Sequence, residues 1–213
     1  MKSLSLPILV LSTCIFSTTA NSQTSNFYLG GLIGQANYDL PTHEFLADGE
    51  DDSDTSFKAI VGYKYNQYLG LEGGYLSLGE LKFSELYSLA IPSYPGVPIE
   101  TFDNQISGSL EVDGYILNAV VSYPVLDKFS LYAKAGVFMW DTDFNSTLNQ
   151  ISNNPEIPSQ SYSLSDSNDG SDLFYGAGVS YEWNRISLRV EYELFDVDGD
   201  EVDSLSIGAT YNF

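Results

Sequence analysis

The sequence predicts an all-β protein, an eight-stranded antiparallel up-and-down transmembrane β-barrel, and three observations predict it. Segments of about ten residues rich in Tyr, Val, Leu and Gly alternate with polar segments rich in Asp, Ser, Asn and Pro, a strand-and-loop rhythm. Within those segments apolar and polar side chains alternate with period two, which sorts them onto opposite faces. Aromatic residues then gather toward the ends of the apolar face. The 213 residues carry 29 acidic and 8 basic side chains, a formal net charge of -21. Eight dispersed cations cannot build the basic surface that nucleic acid requires, so that class of partner is excluded. Beyond the N-terminus nothing approaches the roughly 18 consecutive apolar residues of a membrane helix.

Residues 1 to 22 read as a secretory signal: Lys2 supplies the charge, LSLPILVLSTCIF the apolar region, and STTANS the small residues before a cut near Ala20 or Ser22. Cys14, the only cysteine, falls inside it, so the exported chain, residues 23 to 213, is expected to hold no thiol and no disulfide. A lipoprotein reading of LSTC is disfavoured, because Thr13 is larger than the usual residue before a lipidated cysteine. Eight strands follow, at about 27 to 38, 56 to 66, 68 to 79, 112 to 123, 129 to 140, 172 to 183, 186 to 196 and 203 to 213. Their lengths suit tilted membrane strands of roughly 9 to 11 residues. Short turns are expected at Asn66-Gln67, Pro124 to Lys128 and Asn184-Arg185. At the other end lie segments 39 to 55, 80 to 111 and 141 to 171, read as long loops, and the short connection 197 to 202. No helical period competes with this pattern, and no shift in composition marks a second domain.

The last strand shows the alternation most cleanly: Leu205, Ile207, Ala209, Tyr211 and Phe213 oppose Ser204, Ser206, Gly208, Thr210 and Asn212. The seventh sets Ile186, Leu188, Val190, Tyr192 and Leu194 against Ser187, Arg189, Glu191 and Glu193. A soluble ligand-binding barrel would turn the apolar face inward, whereas a membrane barrel turns it to lipid and encloses the charged face. Aromatic placement decides between them, since membrane barrels concentrate aromatics in two interfacial belts. Tyr65, Tyr123, Phe129, Tyr181, Trp183, Tyr211 and Phe213 lie on the apolar face near the short turns. Phe57, Tyr75, Tyr115, Tyr175 and Tyr192 lie on it near the long loops, with aliphatic residues between. A general preference of aromatics for strands would not favour strand ends.

The segments FYLGGLIGQANYD, LGLEGGYLSLGE, SYPVLDKFSLYAKAGVFMW and ISLRVEYELF, with the closing ATYNF, resemble the eight-stranded transmembrane domain of the OmpA-like outer-membrane proteins. The resemblance covers nearly all of the chain after residue 22. It implies that Tyr211 and the terminal Phe213, with the alternation before them, act as the signal by which the barrel-assembly machinery recognises such chains for insertion. It also implies a Gram-negative outer-membrane location among lipid and lipopolysaccharide. Longer family members continue into a periplasmic peptidoglycan-binding domain; this sequence stops at its eighth strand, so cell-wall anchoring is not expected.

A barrel of eight strands is just wide enough for its own side chains to fill. By parity the inward cations are Lys58, Lys64, Lys134 and Arg189 and the inward anions Glu72, Glu182, Glu191 and Glu193. Buried ions without partners would cost several kcal/mol each, so Glu72 and Arg189 are expected to pair within a network that includes Lys134 and Glu191. In the family, matching Glu and Arg positions form a lumen ion pair that exchanges partners and gates a small conductance; the further lysine of that switch corresponds here to Val120. Of the 29 acids, 23 fall in segments 39 to 55, 80 to 111, 141 to 172 and 196 to 203, with Lys82 alone against them. Solvation explains such a rim; divalent cations bridging it to anionic lipopolysaccharide are the alternative. DVDGDEVD, Asp196 to Asp203, has Glu201 where a calcium loop needs its glycine and Ile207 where it needs the bidentate glutamate, so no specific metal site is expected. His43 is the only histidine, and it lies in the first acidic loop. One loop histidine without a triad partner predicts no catalytic residues and no cofactor. The expected role is therefore a non-catalytic structural or surface barrel. The alternatives are an adhesin using segments 80 to 111 and 141 to 171, which contain Ile91, Tyr94, Val97 and Ile157, or a narrow ion-conducting pore.

Overall fold

A computed structural model of the chain describes residues 26–39, 53–91, 100–152 and 158–213. The expected signal segment, His43, Tyr94, Val97 and Ile157 lie outside the described residues. The rest forms eight strands: β1 (Phe27–Asp39), β2 (Ser53–Lys64), β3 (Leu69–Ile91), β4 (Glu100–Leu126), β5 (Phe129–Ser152), β6 (Gln160–Trp183), β7 (Ile186–Val197) and β8 (Asp200–Asn212). Each pairs antiparallel with its sequence neighbour, and β1 pairs with β8, from Tyr28 opposite Asn212 to Asp39 opposite Glu201, so the sheet closes on itself. Closure leaves no open edge along the ring, the condition for crossing lipid with strands.

Local chemistry fixes the short turns. Asn66 Oδ1 accepts from the Tyr68 and Leu69 amides at 2.7 and 2.9 Å and folds the chain between β2 and β3. Asp198 and Gly199 both have positive φ, 55° and 93°, the conformation that a two-residue hairpin between twisted strands demands. The Gly199 amide donates to Asp196 Oδ1 at 3.0 Å.

The segments expected as long loops, 80 to 111 and 141 to 171, are instead mostly strand. β3 stays paired with β4 as far as Ile91 opposite Glu100, β4 with β5 as far as Phe102 opposite Ser152, and β5 with β6 as far as Gln150 opposite Gln160. Four strands therefore rise as a sheet beyond the ring. β2 leaves β3 at Ser77, and β7 leaves β6 at Phe174, so above those points the outer two strands of this sheet each have one partner. The departure is marked in β3 by a register shift between Ser77 and Gly79, with Gly79 at a φ of 97°. Asp54 Oδ2 accepts from the Glu80 amide at 2.6 Å and holds the bulge.

Inside the ring the alternation has a physical reading. Leu29, Ile33, Val61, Leu71, Leu117, Leu131, Leu188 and Ile207 all face outward and are exposed. The outward aromatics frame them at both ends, with Tyr75 against Tyr115 at 5.7 Å and Phe129 against Tyr181 at 4.9 Å between ring centres. The interior is filled in two layers. Toward the turns it is polar and charged; toward the hairpins it is apolar, built on Leu76, Leu78, Val112, Phe138, Phe174 and Phe195.

Candidate functional site

The charged layer of the lumen is made by alternate residues of four strands, β2, β3, β5 and β7. β7 brings Arg189, Glu191 and Glu193 inward, β2 brings Lys58, β3 Glu72 and β5 Lys134, because each lies on the inner parity of its strand. Three cations meet three anions, and all six are at most 6% exposed. Arg189 pairs through Nη1 with Glu72 Oε1 and through Nη2 with Glu191 Oε1, the latter at 2.8 Å. Lys58 reaches Glu191 Oε2 at 3.0 Å and also pairs with Glu193. Lys134 pairs with Glu191 and lies 2.7 Å from Glu193 Oε1.

Neutral groups complete the network. Tyr28 Oη donates to Glu72 Oε1 at 2.7 Å, and Asn118 Nδ2 donates to Glu72 Oε2 at 3.3 Å. Tyr132 Oη donates to Glu191 Oε1 at 2.8 Å and accepts from Arg189 Nε at 3.2 Å, while the guanidinium lies 4.7 Å from its ring centre. Isolated, each ion would carry a penalty of several kcal/mol; joined in this way they neutralise one another and use most of their hydrogen-bonding capacity.

Glu72, Arg189, Lys134 and Glu191, the four residues named from the sequence, thus sit in one cluster. Lys58 and Glu193 belong to it fully. Lys64 and Glu182, also read as inward, pair with each other at 3.0 Å near the turn end, where both are about half exposed. Val120 lines the lumen below the cluster, so no lysine is available there. Tyr28 and Tyr132 were not singled out by the sequence reading, although Tyr132 shares its face with Lys134 two residues on. Tyr211 and Phe213 lie on the outer face at the chain end, their rings 5.4 Å apart and edge to face.

Below the charged layer a cavity of about 490 Å³ opens toward the turns. Its walls carry the hydroxyls of Ser122, Ser130, Ser180, Ser187 and Thr210, and Glu72 and Arg189 line its inner end. Above the layer Phe195 stacks on Phe174 at 5.0 Å and meets Phe138 edge to face at 5.4 Å. Trp140 Nε1 donates to Asp172 Oδ2 at 2.8 Å just beyond.

On the raised sheet acids dominate: Glu80, Glu85, Asp103, Glu111, Asp141, Asp143, Asp166 and Asp169 stand against Lys82, which pairs with Glu80 at 2.9 Å. Among the described residues no group of three His, Cys, Asp or Glu side chains is arranged to hold a metal ion.

Comparison with known proteins places this architecture. Residues 6–213 match the family model for the outer membrane protein beta-barrel domain. Outer membrane protein A of Klebsiella pneumoniae is 26% identical over 217 residues, covering 93% of this chain and 54% of that protein. Outer membrane protein A of Salmonella typhi is 24% identical, covering 93% of this chain and 52% of that protein. The chain spans about half the length of the curated relatives it matches. Among solved structures, Neisserial surface protein A (NspA) superposes with a TM-score of 0.52 at 15% identity, over 90% of this chain and 99% of that one, a likeness of fold.

Proposed function

The chain belongs to the outer membrane protein β-barrel family, and from that premise we propose that it is a non-catalytic surface barrel whose filled lumen makes it a rigid, non-conducting support for the acidic sheet it raises above the membrane. Its place is the Gram-negative outer membrane, and a general structural or surface role follows from the family. The observation that supports the finer reading is the filled bore, in which a layer of three cations and three anions and an apolar layer above it stand in the way of an ion. Export through a signal at residues 1 to 22, and recognition of Tyr211 and Phe213 by the barrel-assembly machinery, belong to the same reading. So do divalent cations that bridge the acidic sheet to lipopolysaccharide phosphates.

The test is electrical and mechanical. Purified protein in planar bilayers should pass no current above the bare membrane, and a stable conductance would overturn the plug. A strain lacking the protein should lose resistance to detergent, and wild-type protein should restore it. If the sheet acids act through divalent ions, replacing them by Asn and Gln should remove the response of that resistance to chelator.

A second reading, an adhesin, has its own support. Leu86, Tyr87, Ile151, Tyr162 and Leu164 are exposed on the raised sheet, where no lipid covers them. Excising the sheet above Gly79 and measuring attachment decides it, since unchanged attachment removes the adhesin role.

A further inference from the structure

The lumen is asymmetric about its charged layer. On the turn side lies the hydroxyl-walled cavity of about 490 Å³; on the hairpin side lies a close-packed aromatic layer, and the open hollow of about 480 Å³ against Lys82, Phe83 and Asn145 lies beyond it, on the raised sheet. Phe138, Phe174 and Phe195 come from the consecutive strands β5, β6 and β7 and are at most 1% exposed. Leu76 and Leu78 from β3, Val112 from β4, Ala36 from β1 and Val202 from β8 complete the layer, so seven of the eight strands contribute to it.

The two layers resist an ion in different ways. A charged layer whose partners separate leaves polar groups that water can solvate, so its barrier falls once its pairs exchange or are neutralised. An apolar constriction offers no such groups, and it excludes water and ions together by dewetting. A charge entering it has no partner and meets the full desolvation penalty.

We propose that the barrel is a half-channel: a blind aqueous vestibule open at the turn end, floored by Glu72 and Arg189, and closed above them by the Phe138, Phe174 and Phe195 layer, which is the true permeation barrier. The proposal rests on the reading of a closed, membrane-embedded barrel and assigns its tightness to the aromatic layer rather than the ion pairs. Opening the ionic layer alone lets water rise no further than the phenylalanines.

Two experiments test it, both on the full chain with Cys14→Ser, so that each variant carries a single thiol. Ser180→Cys in the vestibule and Val112→Cys in the aromatic layer are reconstituted in oriented vesicles and offered a charged, membrane-impermeant thiol reagent from either side. Ser180→Cys should be labelled from the turn side alone, and Val112→Cys from neither. No labelling at Ser180→Cys overturns the vestibule, and labelling at Val112→Cys overturns the barrier. In planar bilayers the pair Glu72→Gln with Arg189→Gln should stay silent, whereas Phe138→Ala with Phe195→Ala should conduct. Current through the ionic-layer variant with the phenylalanines intact overturns the proposal while leaving the closed barrel standing. Current through the wild type overturns the closed barrel itself. If the phenylalanine variant does not fold, the labelling pattern decides alone.

Discussion

Up to Ser77 strand β3 has a neighbour on both sides and alternates strictly, with Leu71 and Tyr75 outward and Glu72 and Leu76 inward. Above Gly79 the same strand keeps only β4, and its exposed side chains include Leu86, Tyr87 and Ser88 on both faces. Strand β6 shows the contrast more fully: residues 160 to 169 are exposed on either side, while Phe174 below them is buried. The backbone pairing is continuous across the change. What differs is the surroundings, because a ring in lipid separates an apolar outside from a filled inside, whereas a sheet in water has the same solvent on each face. Alternation in this protein is therefore a record of the medium rather than of strand formation.

Substitutions can break or sharpen that contrast. The largest effect is expected at the charged layer. Glu72→Leu leaves Arg189 short of its partner in the lumen and should lower stability by about 3–5 kcal/mol. The loss would be read as a fall in the temperature at which the folded gel mobility disappears. Next comes the lipid face: Val61→Arg, halfway between the outward Phe57 and Tyr65, should cost about 2–4 kcal/mol in urea titrations performed in bilayers. At the boundary itself, Gly79→Ala must hold a side chain at positive φ with its Cβ less than 3 Å from Asp54, for a loss of about 1–3 kcal/mol in the same titration. The smallest effect is expected above the boundary. Leu164→Ser, 62% exposed and outside lipid, should change stability by no more than about 0.5 kcal/mol. A loss at Leu164→Ser as large as that at Val61→Arg would show that the raised sheet is covered and that the contrast is wrong.

The same contrast explains what was legible in the sequence. The ring strands, their faces and both aromatic belts could be read because lipid imposes period two on them. Strands β7 and β8 run almost where the alternation puts them. The upper parts of β3 to β6 could not be read this way, because Ser107, Asn145, Ser163 and Ser165 meet water on whichever face they occupy, and a polar strand then looks like a loop. In the lumen, parity alone carries Lys58, Glu72, Lys134, Arg189, Glu191 and Glu193 to the interior. The aromatic layer was missed for a different reason. Assigning apolar residues to lipid hides those on the inner parity, although Phe138 is four residues from Lys134 and Phe195 is two from Glu193 on the same faces. Counting apolar residues along the charged face of each strand would have revealed it. Glu72 was expected to pair with Arg189, but how Lys58, Lys134, Glu191 and Glu193 share partners was out of reach of the pattern, because it depends on which strands stand opposite one another in the ring.

That dependence has a consequence for how the barrel comes to be made. Glu191 on β7 meets Lys58 on β2 and Lys134 on β5, and Arg189 on β7 meets Glu72 on β3, although β7 is hydrogen-bonded only to β6 and β8. A sheet that has curled without joining β1 to β8 leaves Lys58 and Glu72, on β2 and β3, apart from their partners on β7. Sealing the last seam brings opposite signs face to face in one movement, so half-inserted forms are disfavoured and assembly is pushed toward an all-or-none event.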